Sequence, residues 1–425
     1  MIDLADKVRG LIGPRAVADL DWRGRAEPFA LALPESVDEL VELLRFARAE
    51  RVPVAPIGTG SKLGWARPPR EGALVVSTRR LQHLVEYEPA EGVITALAGT
   101  RMATLRAAAN EHGHWLTPDV PAAENATLGG VIAAGQSGLD RVRLGPVRHH
   151  VLGVRAVMAD GTTAKSGGRL VKNVTGFDLP RLFTGSHGTL CVIVEATLRL
   201  AVAPRQSAVV VAHARDIVEL AELARAVTQS RARPFALQAA RDEGADGAWA
   251  LFARLGGHAE VVRDERELLL GLWKLASAFE GDAALEHARH QRELDFTVER
   301  RPWLHATCTP HAVPGVVAAF DRALAPLGVP TRMLAQPSLA SVDAQVRAPE
   351  GAKLDAARWI ELLHALRAEL RPLGATLVMR DPARRIAESG APWPPLESGA
   401  ALMRTLRDRL DPDGVFARGR FEEDL

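Results

Sequence analysis

A chain of 425 residues is too long for one ordinary hydrophobic core and suits two or three packed units. With 47% hydrophobic and 25% charged residues it is globular in composition, which excludes disordered, collagen-like and low-complexity architectures. Lysine plus arginine (53) balances aspartate plus glutamate (52), and the net charge of +1 gives no drive toward nucleic acid or an anionic membrane, so a small molecule is the expected ligand.

From Pro34 to Glu50, PESVDELVELLRFARAE sets Val37, Leu40, Val41 and Leu44 on one helical face, with Ser36 and Glu39 spaced as a capping box. A short β-branched run, VPVAPIG (52–58), then enters a glycine-broken loop that continues to Pro68 and Pro69. Strands are predicted at 73–77 and 92–98, a helix at 101–112, and a glycine-rich tract from Pro118 to Gly145. VLGVRAVMADGTTAKSGG reads as a hairpin around Asp160 and Gly161, and TLCVIVEATLRLAV (189–202) as a strand covered on both faces. After Pro204 glycine thins, and strand-like runs at 207–213, 248–255, 303–309, 329–336 and 374–380 alternate with helical stretches. The domains expected are therefore 1–204, 205–384 and a C-terminal segment, 385–425, whose helix stops near Asp411 and Pro412.

Cys191 and Cys308 are too few for a disulfide framework, a four-cysteine zinc site or an iron–sulfur cluster on four thiolates, so electrons handled here need an organic carrier. The opening MIDLADKVRGLIG contains acids and no long apolar run, and no later segment approaches the roughly 20 apolar residues of a membrane span. A cytoplasmic location is expected.

The loop GTGSKLG (Gly58–Gly64) lets backbone amides approach a phosphate, with Ser61 and Lys62 adding a hydroxyl and a charge; a flexible surface turn is the other reading. Its spacing is GxGxxxG and it leads into Trp65 and two prolines, so a Rossmann turn is not expected. Further glycine clusters at 118–145 and 167–188 would suit a large ligand with a pyrophosphate and two ring systems.

The strand and first glycine loop, ATLGG, ADG and the run GGRLVKNVTGFDLPRLFTGSHGTLCVIVEATLRL together resemble the FAD-binding (PCMH-type) domain of the vanillyl-alcohol oxidase superfamily. Within it, Gly168 to Leu200 is most similar to the FAD-binding subunit of bacterial glycolate oxidase, and LFARLGG (251–257) and PWLHATCTP (302–310) carry the likeness into the second domain. The resemblance implies an α+β fold: a two-part FAD-binding domain, a second α+β substrate-side (cap) domain, and a C-terminal segment packing back toward the first. It implies that Ile57, Gly58, Thr59, Gly60, Ser61 and Lys62 wrap the FAD pyrophosphate, and that Pro118, Thr127, Leu128, Gly129 and Gly130 line the isoalloxazine and ribityl region. Gly135, Ser137 and Gly138 would continue along the cofactor, Gly188 and Ile193 would sit near the adenine, and Lys172, Asn173 and Asp178 would fix the loop beside the flavin. GTGSKLG and AAGQSGL lack the His and Cys that carry covalent flavin in relatives, so the FAD is expected to be non-covalent. The superfamily's FNPGR-like ending is altered here to Phe416, Ala417, Arg418, Gly419 and Arg420.

Oxidation of a 2-hydroxy acid needs a cation for the carboxylate and a base near the hydroxyl, with the flavin as acceptor. Arg254 and His305 are the catalytic candidates; a surface arginine and a hydrogen-bonded core histidine are the alternatives. His287 and His290 are spaced i, i+3, but an exposed helix face is the plainer reading and no metal is expected. Cys191 reads as a buried inert thiol, and neither it nor His187 is assigned a role. The leading function is an FAD-binding subunit of a glycolate oxidase-like complex oxidising glycolate or D-lactate. Its partners would be a catalytic flavoprotein and an iron–sulfur subunit, through which it can sit peripherally at the inner membrane. The alternatives are a self-sufficient FAD oxidoreductase of a small hydroxy acid or alcohol, and a flavin-binding structural subunit without turnover.

Overall fold

The computed structural model describes residues 4–20, 29–69, 72–169, 176–242, 248–294, 303–329, 331–346, 355–382, 386–387, 389–394, 399–417 and 419–420. Two units emerge: Met1–Ser137 with Pro146–Ala203 and Pro395–Leu425, and Gly138–Gly145 with Pro204–Pro394.

Among the described residues of the first unit, β1 (Ala16–Leu20), β2 (Phe29–Ala32), β3 (Val54–Ile57) and β4 (Leu74–Ser77) form one sheet in the order β1-β2-β4-β3, with β3 parallel to β4. The helix Val37–Glu50 packs on it. Ser36 Oγ accepts the Glu39 N–H (3.1 Å), and Glu39 reaches back to the Glu35 N–H (2.8 Å), one residue before the partner a capping box uses. Leu40, Leu43 and Leu44 are buried with Leu74 and Val76, each contributing about 1.5–3 kcal/mol of hydrophobic stabilisation.

A second sheet contains β5 (Leu84–Glu88), β6 (Val93–Leu97), β8 (Val151–Val157), β9 (Thr163–Gly167) and β10 (Val192–Arg199), while β7 (His114–Trp115) pairs with β11 (Ala201–Val202). Its order is β5-β6-β10-β8-β9, so β10 is central and buried at six of its eight positions, as its β-branched run requires. The β8–β9 connection is longer than a two-residue turn. Met158 and Thr162 still pair (2.8 Å), and Gly161, at φ 81°, closes onto Met158 (3.0 Å).

The C-terminal helix Ala400–Leu410 ends at Asp411, whose carboxylate accepts the N–H groups of Val415 (2.7 Å) and Phe416 (2.8 Å). The tail then lies parallel to the edge strand β3, through Val54 N–H to Val415 O (2.7 Å) and Ala417 N–H to Val54 O (2.8 Å). That pairing covers an otherwise open sheet edge next to the first glycine loop.

The second unit is built on β12 (Gln206–Ala214), β13 (Ala236–Arg241), β14 (Trp249–Gly257), β15 (Ser277–Glu280), β16 (Trp303–Thr307), β17 (Thr331–Gln336), β18 (Ser341–Val346) and β19 (Thr376–Arg380). They form one antiparallel sheet in the order β15-β12-β14-β13-β17-β18-β16-β19. Helices Ile217–Gln229, Ala259–Leu272, Val313–Leu324 and Ala356–Leu370 bury one face with Leu251, Leu304, Phe320, Val342 and Leu363. On the other face the helix Gly281–Leu294 covers Val209 and Val211, and from β13 onward that face mixes polar side chains such as Gln238, Asp343 and Gln345 with a small apolar cluster of Ala240 and Leu334. Strands β13, β15 and β18 are absent from the sequence reading. In β18 (SVDAQV) polar and apolar residues alternate, and all six positions are buried, so its polar face is not a solvent face.

Two stretches depart from the expected boundaries. Gly138–Gly145 goes with the second unit, where Asp140 pairs with Arg254 and Arg143 lies over the Phe235 ring. That unit also runs on to Pro394 rather than 384, because Met379 N–H bonds Pro392 O (2.8 Å) and Ile386 and Ala391 belong to its core. Among the described residues no helix is long and apolar enough to cross a membrane.

Candidate functional site

In the first unit β3 delivers the chain into Gly58–Lys62, and that loop forms a cavity with the start of the helix Leu128–Ala134 and with His187–Ile193. Glycine is required here by contact as well as by conformation. A Cβ at Gly58 would lie 2.0 Å from Thr127 Oγ1, and one at Gly188, where φ is 75°, would lie 3.3 Å from Pro56. The loop is tied down by Ser77 Oγ donating to Gly58 O (2.6 Å) and by Thr59 Oγ1 donating to Asn125 O.

The electrostatics of the cavity are one-sided. Lys62 and Arg420 line it, and no carboxylate does so among the described residues. Burial pulls the Lys62 ammonium down to about 8 and the Arg420 guanidinium down to about 10. Lys62 Nζ contacts Ser61 Oγ (3.2 Å), and Arg420 donates to Arg67 O (2.6 Å) while its own carbonyl accepts the Arg67 N–H (2.8 Å). Thr127 Oγ1 is buried and has no hydrogen-bond partner among the described residues. Desolvated cations, a donor lacking an acceptor and glycines that clear the backbone's approach fit a pyrophosphate bearing a dinucleotide.

Of the residues expected to bind cofactor, Ile57, Gly58, Thr59, Gly60, Ser61, Lys62, Thr127, Gly129, Gly130, Gly188 and Ile193 line this cavity. Six others lie outside it and have local tasks. Leu128 turns its side chain into the core, Pro118 O accepts the Val120 N–H (2.9 Å), and Gly135 is the left-handed cap of the helix Leu128–Ala134. Ser137 Oγ accepts the Val147 N–H (2.9 Å), Gly138 belongs to the second unit, and Asp178 caps the helix Leu179–Phe183. Lys172 and Asn173 lie outside the described residues, as does Arg418. The sequence reading missed His187, Cys191 and Arg420 as lining residues. His187 has φ 50°, a backbone conformation uncommon outside glycine, held by its N–H on Ala133 O (2.8 Å). Burial pushes the Cys191 thiol up, keeping it protonated.

The two catalytic candidates fall on the same face of the second unit's sheet, but not together. Arg254 on β14 and His305 on β16 are separated by three intervening strands, which at about 4.8 Å per strand places them ~19 Å apart across the sheet. Arg254 is buried and donates to Asp140 (2.6 Å), so its charge is already matched. His305 instead neighbours Asp343, Trp303 and Arg380. His287 stacks on Phe279, ring centroids 4.1 Å apart.

Comparison with known proteins bears on both units. Residues 28–167 match the family described as FAD binding domain. The chain is 36% identical over 195 residues to a D-lactate dehydrogenase of Archaeoglobus fulgidus, covering 46% of this chain and 42% of that protein. It is 34% identical over 235 residues to glycolate oxidase subunit GlcE of Escherichia coli (55% and 64%) and 30% identical over 211 residues to subunit GlcD of Bacillus subtilis (50% and 45%). The matched stretches thus span less than two thirds of each relative. Among solved structures, an alkyldihydroxyacetonephosphate synthase superposes with a TM-score of 0.71 at 16% identity, covering 92% of this chain and 77% of that one. The chain therefore has the α+β fold of that synthase, and its residues 28–167 match an FAD binding domain.

Proposed function

We propose that this chain, which carries an FAD-binding domain, is an FAD-dependent oxidoreductase of small 2-hydroxy acids such as glycolate or D-lactate, acting as a subunit of a glycolate oxidase-like complex. The observation that carries the reading is the cation-lined glycine cradle of the first unit. In it Lys62, Arg420 and the amides of Gly58–Ser61 would hold the pyrophosphate, and Thr127 Oγ1 would donate to it. Bound FAD supplies a two-electron acceptor; no side chain of this composition does. The loops that match carry no His or Cys at the positions used for covalent attachment, so the FAD is non-covalent.

The substrate class follows from the names of the relatives, and the subunit role from GlcD and GlcE together with the cysteine count. Two cysteines cannot ligate an iron–sulfur relay, so onward electron transfer falls to other chains. Of the residues outside the cradle, His305 is the proposed base. Arg254 keeps a weaker claim as carboxylate ligand, since a substrate would compete with Asp140 for it.

The test is anaerobic mixing of the purified, flavin-loaded chain with glycolate and with D-lactate. Bleaching of the visible flavin band is expected with one of them. Flavin that binds but stays oxidised until GlcD-like and iron–sulfur partners are added supports the subunit reading. A chain that takes up no FAD overturns the proposal.

A further inference from the structure

On the second unit's sheet, Asp343 of β18 stands in register with His305 of β16. Asp343 Oδ1 lies 2.6 Å from His305 Nδ1 and also accepts the Trp303 Nε1–H at 2.6 Å. Asp343 is only 4% exposed, so its charge has to be met by donors, and an ionised carboxylate can only accept. The proton shared with His305 therefore resides on Nδ1, which leaves the Nε2 lone pair available; Nε2 makes no hydrogen bond to the described residues.

The charge state agrees with that arrangement. Burial lowers the His305 pKa, and the positive charges of Arg380 and Arg141 lower it further, against the opposing pull of Asp343. Burial alone would raise Asp343, but His305, Arg380 and the Trp303 N–H outweigh it and hold the carboxyl below its usual range. At neutral pH the pair is a neutral imidazole on a carboxylate, the state a general base needs. Arg380 also covers the Trp303 ring (5.0 Å to its centroid), fixing the residue that shares Asp343.

We propose that Asp343 is a positioning residue: it holds His305 in the Nδ1–H form so that Nε2 accepts the hydroxyl proton of a hydroxy acid. In that step the substrate O–H bond breaks, its electron pair stays on oxygen, and the proton forms the new N–H bond at Nε2. The resulting imidazolium is matched by the Asp343 carboxylate. The identity of the proton donor rests on the proposed function; the state of the pair does not.

The experiment uses the full chain loaded with FAD and labelled with ¹⁵N-histidine, His305 being assigned by its disappearance in His305→Gln. The wild-type ring is expected to show a neutral Nδ1–H signature at pH 7, and an Nε2–H ring overturns the proposal. The companion measurement is the rate of flavin reduction against pH. Asp343→Asn is expected to slow reduction by ~10²–10⁴-fold, as loss of an orienting carboxylate does elsewhere. It should also move the acid limb to lower pH, because the charge that favours the imidazolium is gone. Asp343→Glu should restore part of the rate. A merely structural role predicts a changed melting temperature with an unmoved pH limb, and that result overturns the proposal even if Asp343→Asn folds poorly, since Asp343→Glu reports the limb as well. If no hydroxy acid reduces the flavin, the proposed substrate class fails while the tautomer still decides the state of the pair.

Discussion

The glycine-lined cavity of the first unit and the half-sheet of the second that carries Arg254 and His305 arrange charge differently. In the cavity, Lys62 and Arg420 gather with no carboxylate in the described lining, and both cations are pulled down by burial. On the half-sheet the buried Arg254 pairs with Asp140, and His305 hydrogen-bonds the buried Asp343 carboxylate. Desolvated cations gain when an anion arrives, so we read the first arrangement as a receptor for one. Burial with a counter-charge is already balanced, and it orients side chains.

The comparison breaks most readily at Gly58. Gly58→Val places its side chain against Thr127 Oγ1, and FAD content by absorbance after gel filtration is expected to vanish while the chain stays folded by circular dichroism. In the second unit the vulnerable feature is the ion pair. Arg254→Met removes the buried guanidinium from the buried Asp140 carboxylate, which costs about 3–5 kcal/mol, visible as an earlier unfolding transition with FAD occupancy preserved.

Smaller effects sharpen the electrostatic side. Lys62→Met or Arg420→Met removes a charged hydrogen-bond donor worth about 1.5–3 kcal/mol, a roughly 10- to 150-fold rise in the FAD dissociation constant by fluorescence titration. Lys62 also sets a pH dependence. In the empty cavity its pKa is about 8, and a bound pyrophosphate raises it, so binding takes up a proton above pH 8. Affinity is therefore expected to be level below pH 8 and to fall as pH rises beyond it, and Lys62→Met should flatten that slope. The smallest effect is Ser36→Ala, about 1 kcal/mol of stability from the lost helix cap, with flavin binding unchanged.

The two regions also differed in how far the sequence revealed them. Gly58 and Gly188 are legible because close backbone approach admits glycine alone, and Lys62 because a lysine inside a glycine loop of an arginine-rich chain stands out. The helix after Ser36 and the β10 run were legible from periodicity and β-branching. Arg420 was not assigned to the cavity, because only the pairing of the tail with β3, locked by Asp411, carries it there from the far end of the chain. Asp343 was hidden for a different reason: β18 is only six residues long, and the partner of Asp343, His305, lies 38 residues away. Arg254 looked like a free cation only because Asp140, 114 residues distant, could not be placed beside it.

The most direct measurement is FAD stoichiometry and affinity of three full-length chains: wild type, Gly58→Val and His305→Gln. The division of labour argued above predicts equal, stoichiometric FAD in wild type and His305→Gln, and none in Gly58→Val. Retention of full FAD by Gly58→Val, or its loss from His305→Gln with the fold intact, would contradict the assignment of the cofactor to the first unit's cradle.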